Sequence, residues 1–226
     1  MAKEYIQLTQ QMGNANQSPL GTYFIDNELA TIYFLVSSTN GSGSVAKNTF
    51  GAFEGLYATR ILTGLTTPLT NDTIVAQSYG FVGRGRYFIY QTKLDIPYTI
   101  ANCVIEIKHK FVISGRLWDF GIKFDGSNST WYYVNSSNSW VALPTNFATP
   151  TIDNWHDFQL VVDLTNKEYV QAAFGRDFQS LAGISGYNSA AATTSKHEHT
   201  ISVKTLADSA AALLTDNTSF QYSNVY

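Results

Sequence analysis

The chain has 226 residues, 44% of them hydrophobic and 14% aromatic, enough for a core that needs no disulfide or metal to hold it. Charged residues make up only 14%, Ser, Thr, Asn and Gly stand in their place, and the net charge is −3. An acidic balance without a basic stripe excludes nucleic acid as a partner, the single cysteine, Cys103, excludes an internal disulfide, and no run reaches the ~18 apolar residues that would insert in a membrane.

Met1 to Ile6 lacks the basic and apolar regions of a secretory signal. Residues 1–21, rich in Gln, Asn, Gly and Pro, read as an extended N-terminal arm, and residues 22–226 as one domain. From Tyr23 onward, short apolar or alternating runs are punctuated by Gly, Asn, Ser, Pro and Asp, the spacing of strands and turns. The expected strands are about 30–38, 73–82, 86–95, 103–113, 115–124, 129–134, 156–164, 167–174, 197–206 and 218–225, with 38–51 a flexible loop. Cys103, Ile105, Ile107, Phe111 and Ile113 share one parity, and Glu106, Lys108 and Lys110 the other. Trp118, Phe120, Ile122 and Phe124 repeat that pattern against Asp119 and Lys123, with Ser114 and Gly115 between the runs as a tight hairpin. One buried and one solvated face predicts antiparallel sheet. Only Ala207 to Leu214 reads as a helical turn or two, capped by Asp208 or Ser209. The fold class is therefore all-β.

The stretch Trp155-His156-Asp157-Phe158-Gln159-Leu160-Val161-Val162-Asp163, then the turn Thr165-Asn166-Lys167 and the return Tyr169 to Phe174, resembles the W-x-x-F-x-L-x-V-D strand of concanavalin A-like and laminin-G-like sandwiches. Phe120 to Gly126 followed by Trp131 to Val134 resembles the preceding meander. The resemblance covers residues 75–226 and implies an antiparallel two-sheet jelly roll. Glycosidases of that superfamily carry E-x-D-x-x-E on one strand; this chain has no such triplet and no G-x-S-x-G elbow, so no catalytic set is expected.

Four histidines, His109, His156, His197 and His199, fall on the apolar parity of their strands. If the sheet order gathered three of them, they would form a transition-metal site; otherwise they are core or strand-end residues, and no cofactor is expected. Trp131, Tyr132, Tyr133, Asn135 and Trp140 are candidates for a glycan platform of aromatic faces and amide hydrogen bonds, although Trp131 and Tyr133, or Tyr132, would equally serve as core. Asp125-Gly126-Ser127-Asn128 reads as an Asx turn before a calcium site. Low charge, the polar arm and the lack of catalytic groups favour a non-enzymatic structural or attachment protein of a virion or extracellular assembly, such as a capsid, decoration or tail component, meeting copies of itself or neighbouring subunits through the arm. The alternative is a stand-alone lectin-like carbohydrate-binding module.

Overall fold

The computed structural model describes residues 22–25, 34–38, 43–48, 53, 58–63, 71–80, 85–143, 147–192 and 196–226. The expected N-terminal arm lies outside them. Sixteen strands are described: β1 Thr22–Ile25, β2 Phe34–Ser38, β3 Ser44–Asn48, β4 Ala58–Leu62, β5 Thr73–Gly80, β6 Tyr87–Asp95, β7 Cys103–Ile113 and β8 Arg116–Asp125, followed by β9 Thr130–Val134, β10 Trp140–Ala142, β11 His156–Asp163, β12 Glu168–Phe174, β13 Asp177–Ser180, β14 Tyr187–Ala191, β15 His197–Thr205 and β16 Ala212–Ser223. Among the described residues the only helical element is a single 3-10 turn, Ile100–Asn102. None of these residues forms a helix long and apolar enough to cross a membrane.

The strands form two sheets of eight. Sheet A runs β13-β12-β11-β6-β16-β4-β3, with β1 also on β16; sheet B runs β10-β9-β8-β7-β15-β5-β2, with β14 also on β8. Every pairing between these strands is antiparallel. The fold is the expected antiparallel two-sheet jelly-roll sandwich.

Local chemistry explains the best-read segments. Ser114 (φ 52°) and Gly115 (φ 74°) make a two-residue turn with both residues left-handed. That geometry matches strand twist and joins Ile113 to Arg116, setting the register of β7 and β8. In the Trp155–Asp163 signature, the final Asp163 is a turn anchor. Its Oδ1 accepts from Thr165 and Asn166 N–H (2.9 and 3.0 Å), while Arg86 donates to Oδ2 from Nη2 and Nε (2.8 and 3.0 Å).

Two sequence expectations are corrected. Ala207–Leu214 is not helical: Ala212, Leu213 and Leu214 open β16 and are buried against β4. The expected loop at 38–51 contains β3, whose polar Ser44–Asn48 is held by pairing with β4 and not by any pattern of its own.

The core lies between the inner faces of the sheets. Phe158, Leu160, Tyr169 and Phe174 of sheet A meet Phe120, Phe124 and Trp131 of sheet B. Tyr169 also closes a break in sheet B from the opposite side. Its hydroxyl accepts from Gly121 N–H (2.8 Å) and donates to Val134 O (2.9 Å), just past the last paired residues Ile122 and Tyr133. Tyr169→Phe leaves a buried N–H and carbonyl without this partner and is expected to cost about 1–3 kcal/mol in urea unfolding.

Candidate functional site: the outer face of sheet B

Alternation puts a continuous polar face on the outside of sheet B. Cross-strand register arranges it in rows running from β9 towards β5. One row is Tyr132, Lys123, Glu106, Ser202 and Val75; the next is Gly121, Lys108, Thr200 and Gln77. Asp119, Lys110 and Glu198 form a third, and Asp125, Val104, Lys204 and Thr73 a fourth. Over β5, β7 and β15 these side chains are only half-buried or less exposed, and they line a groove of about 510 Å³. That volume falls within the ordinary range of ligand clefts.

Ion pairs order the groove. Lys108 Nζ lies 2.8 Å from Glu106, and Glu198 is shared by Lys110 (3.5 Å) and Lys196 (3.1 Å). Ser189 Oγ donates to Asp119 (3.1 Å). Burial holds the Asp119 carboxyl above its usual range, with nearby Lys110 and Lys108 opposing that shift.

At the β9–β10 side the groove meets two aromatic rings. Trp140 and Tyr132, both half-buried, stand on the outer face. Lys123 Nζ lies 4.5 Å from the Tyr132 ring centre and 5.1 Å from that of Trp140, and Lys108 Nζ lies 5.0 Å from Trp140. Gly121 makes room for this packing: a Cβ there would lie 3.2 Å from Trp140 Cη2 and 3.0 Å from Lys108 Cγ. Lys108 thus joins the aromatic end to the groove.

The expected glycan platform is only partly realised. Tyr132 and Trp140 share the outer face. Trp131, by contrast, is 5% exposed, tilted against Phe174 (4.9 Å between ring centres), with its Nε1 donating to Ala148 O (3.3 Å). Tyr133 points inward onto Tyr169. Asn135 is a turn residue, its Oδ1 accepting from Ser137 and Ser139 N–H (2.9 and 3.0 Å). Trp131 and Tyr133 lie on the opposite parity of β9 from Tyr132, and a period of two cannot present neighbours to one surface. The polar parity of β7, β8 and β15, the larger part of the face, reads in the sequence merely as a solvated side.

The histidines divide. His109, His197 and His199 come together inside the sandwich, from adjacent strands β7 and β15. His109 Nδ1 and His197 Nε2 are 3.0 Å apart, and the His109 and His199 rings stack with centres 4.4 Å apart. His156 is elsewhere, on β11, where it stacks on Phe174 and Nε2 accepts from Thr151 N–H (3.1 Å). Stacked imidazoles direct their lone pairs side by side, and among the described residues no three His, Cys, Asp or Glu are arranged to hold a metal ion. The sheet order thus gathers three of the four histidines and leaves His156 apart. Asp125 likewise forms a plain Asx turn, its Oδ1 accepting from Ser127 N–H (3.1 Å) and Oγ (2.7 Å).

No protein family and no curated protein matches the sequence. Solved structures do share its fold. The cellulose-induced protein Cip1 superposes with a TM-score of 0.58 at 12% identity, over 87% of this chain and 95% of its own. Arcelin-5, a lectin-like defence protein from Phaseolus vulgaris, gives 0.55 at 9% identity, over 90% and 98%. Alginate lyase vAL-1 from Chlorella virus gives 0.52 at 7% identity, over 84% and 93%. At these identities the likeness is one of fold.

Proposed function

We propose that this protein binds a glycan chain along the outer face of sheet B and does not cleave it. The carrying observation is the junction of Trp140 and Tyr132 with a polar groove, bridged by Lys108. An aromatic face beside a trough of hydroxyl, amide and charged groups suits a sugar chain, which offers an apolar ring face and polar edges. A lectin-like protein and a polysaccharide lyase among the fold's relatives support a carbohydrate ligand, and the lyase makes turnover the alternative to test. Assembly into a virion through residues 1–21 would rest on a segment outside the described residues. The face of sheet B supports the glycan reading instead.

The test is a glycan-binding screen followed by calorimetry on Trp140→Ala. Loss of a central aromatic contact is expected to weaken binding at least about tenfold. Phe178→Ala, on the exposed edge strand β13 of the other sheet, is expected to leave affinity unchanged. Equal affinity of Trp140→Ala and the unaltered protein would remove the site from this face, and release of new reducing ends would replace binding with catalysis.

A further inference from the structure

We infer that the groove prefers a polyuronate, a glycan chain bearing carboxylates, over a neutral one; this rests on the glycan reading above. The two ends of the face hold ammonium groups without a matching carboxylate. At the aromatic end, Glu106 is engaged by Lys108 at 2.8 Å, while Lys123 makes no ion pair among the described residues and lies over Tyr132 and Trp140. At the other end, Lys204 lines the groove and likewise makes no ion pair among those residues. The carboxylate of Glu198, in the row beyond Lys108, is already shared by two lysines.

A ring stacked on Trp140 would sit beside Lys108 and Lys123, whose ammonium groups are 5.0 and 5.1 Å from the indole centre. A neutral ring must displace these cations from the aromatic face and offers them only hydroxyls. A uronate ring displaces them equally but gives them a carboxylate partner, and charge-assisted hydrogen bonds are the stronger kind. Lys123 and Lys204 stand on β8 and β15, two strands apart, and their rows are two residues apart along the strands. Ordinary strand spacing puts their Cα atoms roughly 12 Å apart, longer than one sugar ring. The site is therefore matched to a chain with carboxylates on successive units.

Calorimetry on the full chain would compare a polygalacturonate oligomer, its neutral methyl ester, and a sulfated glycan. The uronate is expected to bind at least about tenfold more tightly than the ester and to weaken as salt rises. The double variant Lys123→Gln, Lys204→Gln is expected to bring the affinity ratio of uronate to ester close to one, with uronate binding losing its salt dependence. Equal binding of acid and ester overturns the charge preference and leaves the glycan reading standing. Tighter binding of the sulfated glycan overturns the assignment to carboxylate. Failure to bind any of the three, together with failure to bind any neutral glycan in the wider screen, overturns the glycan reading itself.

Discussion

Stability is expected to fall steeply as pH drops from 6.5 to 5, because three histidines are buried in neutral form. His109, His197 and His199 are 0%, 3% and 1% exposed. The groups facing them from β6 and β16 are Phe88, Tyr90, Phe220 and Tyr222, with Phe111 alongside and no carboxylate among these contacts. Burial pushes His197 down to about 3 and holds His109 and His199 well below the ordinary histidine range, helped by their proximity to one another. The unfolded chain takes up protons on all three below about pH 6.5 while the folded chain does not, so stability rises with pH across this window and is lost as pH falls. Well below pH 6.5 each histidine contributes about 1.4 kcal/mol per pH unit, and three contribute about 5 kcal/mol between pH 6.5 and 5. Asp95, raised to about 6 by burial and by Asp153, works in the opposite sense and offsets part of the loss. The remainder rivals the whole stability of an ordinary domain, about 5–15 kcal/mol. Urea unfolding measured from pH 8 to pH 5 checks this. His199→Leu is expected to flatten the slope by about a third, and a protein equally stable at pH 7 and pH 5 would refute the account. Since β7 and β15 carry the groove on their outer side, ligand release should track the same acid transition.

The inward placement of these histidines was legible in the alternation of 103–113 and 197–206; their convergence was not. Parity gives a face, whereas only sheet order puts β15 beside β7, nearly 90 positions away in the chain. The same limit governs the groove. Glu106, Lys108 and Lys110 are visibly the solvated side of one strand, but the site needs Gln77, Lys123, Thr200 and Ser202 beside them, from three other strands. Trp131 and Tyr132 show the converse: being adjacent in sequence made them look like one platform, and the pleat sends them to opposite surfaces.

The legible strands are those whose own residues alternate, such as β7, β8 and β11. The illegible ones are held by neighbours. Ala212–Leu214 has the composition of a helix, and tertiary burial of all three residues against β4, with Leu214 also paired to β6, overrides that preference. β13 and β14 are short edge strands with few buried residues, so nothing in their pattern distinguishes them from loop.

Gly126→Ala is expected to be among the most damaging single substitutions, for a reason the turn's sequence conceals. Asp125-Gly126-Ser127-Asn128 looks like any polar turn, and its Asx hydrogen bonds would survive an added methyl group. The obstacle is the 3-10 turn at Ile100–Asn102, which passes directly against Gly126. A Cβ there would lie 1.7 Å from Ile100 O and 2.8 Å from Cys103 O, both backbone atoms that cannot swing aside. Gly126 N–H also donates to Cys103 O (2.9 Å), so moving the turn away breaks the bond that ends the β7–β8 ladder. Leu206 N–H donates to Asn102 O (2.8 Å) on the other side of the 3-10 turn, so that element cannot retreat without disturbing β15. A loss of about 3 kcal/mol or more is expected in urea unfolding, at the upper end for inserting one methyl group. Gly175→Ala is the control. It has a left-handed φ of 59° and nothing within 4 Å of the added carbon, so it should cost only about 1 kcal/mol of backbone strain. Equal losses at the two positions would mean that β7 and β8 tolerate displacement at this end. The rows of the groove, which depend on the register of those strands, would then be less rigid than their packing implies.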